Sequence, residues 1–178
     1  PCGLDYSGRP NRIAHHIALD ADELAPAGPA WVLSQEGIFR SEWSEEPLVL
    51  PQGPKMPVGQ AAAAVCDRWR EVTGDAGWGG ELIRRLRATP RHPIYVVSNS
   101  DVNALDLIAE AVALLHPLER WSTTFSTAFQ QVVPDTLCAI RFVVCDSAVG
   151  RRMRRTPSPG TLDLTDLPTA PPGSEYVE

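Results

Sequence analysis

Residues 12–19 alternate strictly: Ile13, His15, Ile17 and Leu19 are large, and Ala14, His16 and Ala18 between them are small or polar. A period of two marks an extended segment with one face toward a core, and a slip of one residue would turn every large side chain to solvent. The spacing therefore predicts a strand that tucks His15 inward and turns His16 outward. A polar loop, residues 5–11, leads into it. Gly8 can take a positive φ there, and Pro10 biases Arg9 toward an extended conformation. This loop and strand are the best place in the sequence for a polar working site, although the residues alone name no reaction.

The rest of the chain predicts mixed helices and strands. Pro29-Ala30-Trp31-Val32-Leu33-Ser34-Gln35 reads as a short helix with Pro in its first turn, broken by Gly37. Residues 47–59 hold Pro47, Pro51, Gly53, Pro54, Pro57 and Gly59, a density of breakers that predicts an extended connector. Helical spacing follows over 60–73, ended by Gly74, and again over 77–88, where Trp78, Leu82, Ile83 and Leu86 share a face. Ile94-Tyr95-Val96-Val97-Ser98 predicts a buried strand. Ser100 or Asp101 can cap a helix over 101–115 with an apolar stripe of Leu105, Ile108, Ala109, Val112 and Leu115. Residues 121–129 and 138–145 read as two strands joined closely enough to pair antiparallel, and Leu162 with Leu164 suggests a last short one.

Strands and helices do not alternate regularly. The expected fold is therefore α+β: a mixed or antiparallel sheet of at least four strands with helices packed on one face. The strand–helix–strand order over 94–129 leaves a doubly wound α/β fold as the alternative. Residues 1–167 are expected to form a single domain, and the Pro, Gly and acidic residues of 168–178 predict a disordered tail. Pro1-Cys2-Gly3 followed almost at once by a strand predicts a piece of a longer protein, with partner strands lying earlier.

Net charge is −6 over 178 residues, which argues against a general nucleic-acid-binding role and leaves Arg151-Arg152-Met153-Arg154-Arg155 as the one basic run. That run reads as a solvated loop, or else as a local contact for phosphate or an acidic partner. No apolar stretch is long enough to predict a membrane span. Cys2, Cys66, Cys138 and Cys145 are widely separated and form no CxxC pair, which predicts reduced thiols and a cytoplasmic setting rather than a zinc site or a disulfide framework.

Adjacent side chains on a strand point apart, so His15 and His16 do not converge on one metal, and neither a metal nor a cofactor is expected. His15 is expected to be a core histidine. His16, oriented by Asp5 or Asp20, could serve as a general base. Tyr6, Arg9, Asn11 and Arg12 form a dense polar group suited to a partner or an anion, although an Asp5–Arg9 bond could equally tie the loop to itself. Gly77-Trp78-Gly79-Gly80 lacks the Lys-Ser/Thr of a phosphate loop, and neither Ser98 nor Ser126 sits in a nucleophile-elbow context.

An ordered set of phrases carries a resemblance. Gly3-Leu4-Asp5-Tyr6-Ser7-Gly8-Arg9-Pro10-Asn11 with His15-His16, then Gly28-Pro29-Ala30-Trp31, Thr73-Gly74-Asp75-Ala76-Gly77-Trp78, and Arg120-Trp121 with Thr124-Phe125-Ser126-Thr127 together resemble the N-terminal domain of bacterial GTPase-associated proteins, over roughly residues 3–165. The resemblance implies a non-enzymatic adaptor beside a GTPase or other NTPase in a predicted conflict or defence system, and carries over no catalytic residues. A hydrolase-like enzyme using His16 with Asp5 or Asp20 is the alternative.

Overall fold

The structure is a computed structural model, and it describes residues 4, 7–10, 14–39, 55–60, 62–131, 136–156 and 158–172. Helix α1 (Pro29–Leu33) is followed by α2 (Asp67–Thr73), α3 (Gly77–Ala88), β1 (Ile94–Ser98), α4 (Ala104–Ala113), α5 (Pro117–Arg120), β2 (Phe125–Ser126), β3 (Ile140–Val144), α6 (Ala148–Arg155) and β4 (Thr161–Asp163).

The sheet runs β2-β3-β1-β4, and every neighbouring pair is parallel. Ile94 sits opposite Ile140, Val96 opposite both Phe142 and Leu162, and Phe125 opposite Ile140. This overturns the expected mixed or antiparallel sheet. The expected antiparallel pairing of 121–129 with 138–145 is replaced by a two-residue parallel contact, and the fold is α/β. The physical mark of this lies in β1 and β3. A parallel strand is covered on both faces, so it reads as a near-continuous apolar run rather than an alternation. Ile94, Val96, Ile140, Phe142 and Leu162 pack into one core, and Val97 and Val143 pack into a second on the opposite side.

The helices divide accordingly, where the sequence pattern placed them on one face. The larger core takes Trp69 of α2, Trp78, Leu82 and Ile83 of α3, and Leu107, Ile108, Ala111 and Val112 of α4. Burying each Leu or Ile there contributes about 1.5–3 kcal/mol. The second core takes Val149 and Met153 of α6. The basic run is therefore helical: Ser147 Oγ accepts from Gly150 N at 3.0 Å to cap α6, and Val149 and Met153, four apart, turn to the sheet.

Residues 77–88 form a helix as their spacing predicts, whereas the described part of 60–73 is helical only from Asp67. The α2 amino end is capped from another element, with the Glu110 carboxylate accepting from Arg68 N at 2.9 Å and Trp69 N at 3.3 Å. Gly74, at φ +87°, closes the helix by donating to Arg70 O at 2.8 Å. Trp121 is not in a strand; it ends the turn after α5. Residues 14–20 join no strand ladder among the described residues, yet their exposure alternates as predicted: His15, Ile17 and Leu19 are half-buried, and Ala14, His16 and Ala18 are exposed. Among the described residues no helix is long and apolar enough to cross a membrane.

Candidate functional site

β1 and β3 are neighbours, but β1 leads to α4 on one face of the sheet and β3 leads to α6 on the other. Two adjacent strands whose chains depart to opposite faces leave a recess beyond their carboxyl ends, the usual ligand position in open α/β sheets. The recess of about 400 Å³ found at this edge of the sheet lies to one side of that switch point, at the carboxyl ends of β1 and β4, lined in part by Arg68, Glu71, Asn99, Asp101, Asp106 and Thr165.

Several polar side chains around it are engaged with the chain itself, while the exposed Asp101 carboxylate makes no hydrogen bond or ion pair among the described residues. Asn103 Oδ1 accepts from Leu105 N at 3.1 Å to cap α4, and its amide donates to Asp106 Oδ2 at 2.8 Å. Asn99 Oδ1 accepts from the Cys145 thiol at 3.5 Å, and Cys145 N donates to Ser98 O at 2.8 Å, which ties the two departing loops together. Asp163 Oδ1 accepts from Thr165 N and Oγ1 at 3.0 and 2.7 Å, while its Oδ2 accepts from Arg154 Nε at 3.0 Å. Gly150 permits the close seat of α6: a Cβ there would stand 2.1 Å from Val144 O. The edge is thus held by caps and short turns, which fix loop geometry. Among the described residues no group of three or more His, Cys, Asp or Glu could hold a metal ion.

A second constellation joins distant parts of the chain. Arg120 is 1% exposed. Its guanidinium donates to Leu115 O at 3.0 Å, Pro26 O at 2.7 Å and Ala113 O at 2.6 Å. The next residue, Trp121, donates through Nε1 to Ala25 O at 2.8 Å. Gly28, at φ +89°, lies under Arg120, where a Cβ would come within 2.9 Å of the Arg120 Cβ. Two of the phrases singled out in the sequence, Gly28-Pro29-Ala30-Trp31 and Arg120-Trp121, therefore meet in space. Burial lowers the Arg120 pKa from its ordinary value by disfavouring the charge.

Of the sequence-predicted site residues, Asp5, Tyr6, Asn11 and Arg12 lie outside the described residues, and Arg9 is exposed. His16 and Asp20 are both exposed. Asp20 opens a short 3₁₀ turn, with its N–H donating to Glu23 Oε2 at 2.9 Å. His15 is half-buried and meets the Phe39 ring edge-on, with centroids 5.1 Å apart. Cys66, Cys138 and Cys145 are free thiols. Burial pushes the Cys66 thiol up to about 12, with Glu110 and Asp67 adding to the effect, so it stays protonated and inert at neutral pH.

The sequence reading named Arg120 only within a family phrase, with no role for it, and missed Glu81. Glu81 is fully buried and accepts from Arg84 Nε at 2.6 Å and from Arg85 Nε at 2.7 Å; Arg85 reaches on to Thr161 O at 2.6 Å. The signal was present for Glu81, since arginines three and four residues later lie on its helix face. No local signal existed for Arg120, whose acceptors are main-chain carbonyls.

An all-parallel α/β unit with a capped carboxyl edge, cinched to an amino-terminal segment through Arg120, defines the class. The chain belongs to the GTPase-associated protein 1 family: residues 66–163 match its middle domain, and residues 1–56 match its N-terminal domain type 2. Neither a curated protein nor a solved structure matches the chain.

Proposed function

We propose that the chain is a non-enzymatic adaptor module of a bacterial GTPase-associated system of the conflict or defence type, and that it works beside a GTPase. The family supports the association by its name. The observation that supports the adaptor role is the carboxyl edge of the sheet. Where an α/β enzyme would hold reactive groups free for substrate, Asn99, Asn103, Ser147 and Asp163 are committed to caps, turns and an ion pair. Such commitments make a rigid surface. The Arg120 seat adds to this by fixing residues 25–28 against α4 and α5. Loop 5–12, with Tyr6, Arg9, Asn11 and Arg12, is proposed as part of the contact surface.

The test is affinity capture from the native host with the full-length protein carrying this chain, in the presence of GTP or GDP. The reading expects a GTPase to be recovered, in an amount that depends on the nucleotide. Absence of any GTPase, together with a hydrolytic activity that His16→Ala abolishes in a folded protein, would replace it with the enzyme reading.

A further inference from the structure

Helix α6 carries Arg151, Arg152, Arg154 and Arg155 within five positions, all exposed. Like charges three and four residues apart on a helix repel by a few tenths of a kcal/mol per pair, so this density works against the element that bears it. Two of the four are occupied: Arg154 pairs with Asp163 at 3.0 Å, and Arg151 donates to Asp146 O. The side chains of Arg152 and Arg155, three apart and hence side by side, make no hydrogen bond or ion pair among the described residues.

Arg152 also lines a recess of about 580 Å³ with mainly apolar walls, formed by Pro93, Tyr95, Met153 and Pro159, with His92 among its other polar members. The recess is preformed. Arg141 Nη1 donates to Tyr95 Oη at 2.6 Å while its guanidinium lies over the Tyr95 and Phe129 rings, 5.2 and 4.6 Å from their centroids. A wall fixed in this way is not reordered when something binds, which removes part of the entropic cost of association.

We infer that this face of α6 docks an acidic segment of a partner protein, which places one large apolar or aromatic side chain in the recess and carboxylates on Arg152 and Arg155. The inference rests on the adaptor reading and names a surface for it. Charge complementarity selects the occupant: two unneutralised guanidinium groups present ten N–H donors suited to carboxylates on a chain that is otherwise acidic. Phosphate-backbone binding fits less well. A net charge of −6 repels a polyanion at long range, two free arginines release few counterions, and a proline- and methionine-walled recess offers little to a sugar-phosphate chain.

Fluorescence anisotropy tests this with the intact chain and a short fluorescein-labelled peptide of Asp and Glu around one central Trp. The comparison probes are the same peptide with Ser in place of Trp, and a labelled single-stranded oligonucleotide. The expected result is saturable binding of the Trp peptide that falls with added salt and weakens about tenfold both on loss of the Trp and in the Arg152→Glu/Arg155→Glu variant. Arg152→Gln/Arg155→Gln supplies the same reading if charge reversal lowers the melting temperature. Equal affinity of native and variant protein, no gain from the Trp, or tighter binding of the oligonucleotide would overturn the inference. If GTPase capture survives in the double variant, the adaptor reading stands without this surface. If capture fails with the native protein while the peptide binds, the adaptor reading fails and the surface remains.

Discussion

Glu81 and Arg120 are both sealed from solvent, at 0% and 1% exposure, and each is held differently. Glu81 is neutralised locally, by Arg84 and Arg85 on the next turn of its own helix, and only through Arg85 does it reach β4. Arg120 donates to three carbonyls in two separate stretches, the carboxyl end of α4 and a segment 94 residues away in sequence. Glu81 therefore brings its partners with it whenever α3 forms. Arg120 finds its partners only once residues 25–28, α4 and α5 have come together. The first stiffens one layer of the fold, and the second reports whether the amino-terminal segment is seated on the sheet unit.

Arg120→Ala is the strongest way to break this comparison. It leaves the buried carbonyl of Leu115 and the half-buried carbonyls of Pro26 and Ala113 without this donor, and it removes the Arg120 methylenes that pack against Gly28. The expected loss is about 3–5 kcal/mol of unfolding free energy by urea denaturation, with faster amide exchange at Gly28 and Val32 than in α3. A loss below about 1 kcal/mol would mean that water replaces the guanidinium and that the segment docks without it.

Glu81→Gln comes next, with an expected loss of about 1–3 kcal/mol. It is smaller because Arg84 and Arg85, at 42% and 21% side-chain exposure, can turn toward water when the carboxylate is gone. The same residue sets an acid dependence. Burial by itself would raise the Glu81 pKa, but the hydrogen bonds and charges of Arg84 and Arg85 outweigh it and hold the value below the ordinary 4.5. A lowered folded-state pKa contributes stability that is fully present above the ordinary value and is lost as pH falls through the folded one. The native chain should therefore lose stability below about pH 4.5 more steeply than Glu81→Gln. Superimposable acid profiles would show that the clamp contributes nothing to acid resistance.

The two sites also differ in how far they could be read in advance. The Glu81 cluster follows a helical spacing that is visible in Gly77-Trp78-Gly79-Gly80-Glu81-Leu82-Ile83-Arg84-Arg85, and α3 itself was legible from the same period. The direction of the sheet was harder. Ile94, Val96 and Val97 bury both faces of β1, the mark of a parallel strand, but β2 is only two residues long within a Ser/Thr alternation that imitates an antiparallel edge. The α4 cap fell to Asn103 rather than to Ser100 or Asp101, within the usual uncertainty of helix ends. In α6 four arginines masked a two-residue stripe, Val149 and Met153, that was enough to lay the helix on the sheet. Arg120 stood in a phrase shared with the family, but its seat was illegible because a guanidinium bound to main-chain carbonyls leaves no trace in residue type or spacing.

The smallest effect separates the two halves of the Glu81 clamp. Arg84 makes two bonds to the carboxylate, from Nε at 2.6 Å and Nη2 at 2.8 Å, yet its side chain is 42% exposed. Arg85 makes one bond to Glu81, but it is more buried and also donates to Thr161 O, the first residue of β4. Counting bonds to Glu81 ranks Arg84 first; burial and reach rank Arg85 first. Solvent screening discounts the exposed pair, so Arg84→Ala should cost about 0.5 kcal/mol and Arg85→Ala about 1–2 kcal/mol, because the latter also strips a strand-edge carbonyl of its donor. Urea denaturation of both variants at neutral pH measures the order. If Arg84→Ala proves the costlier, the clamp acts through charge pairing within α3 alone, and its tie to β4 carries no weight.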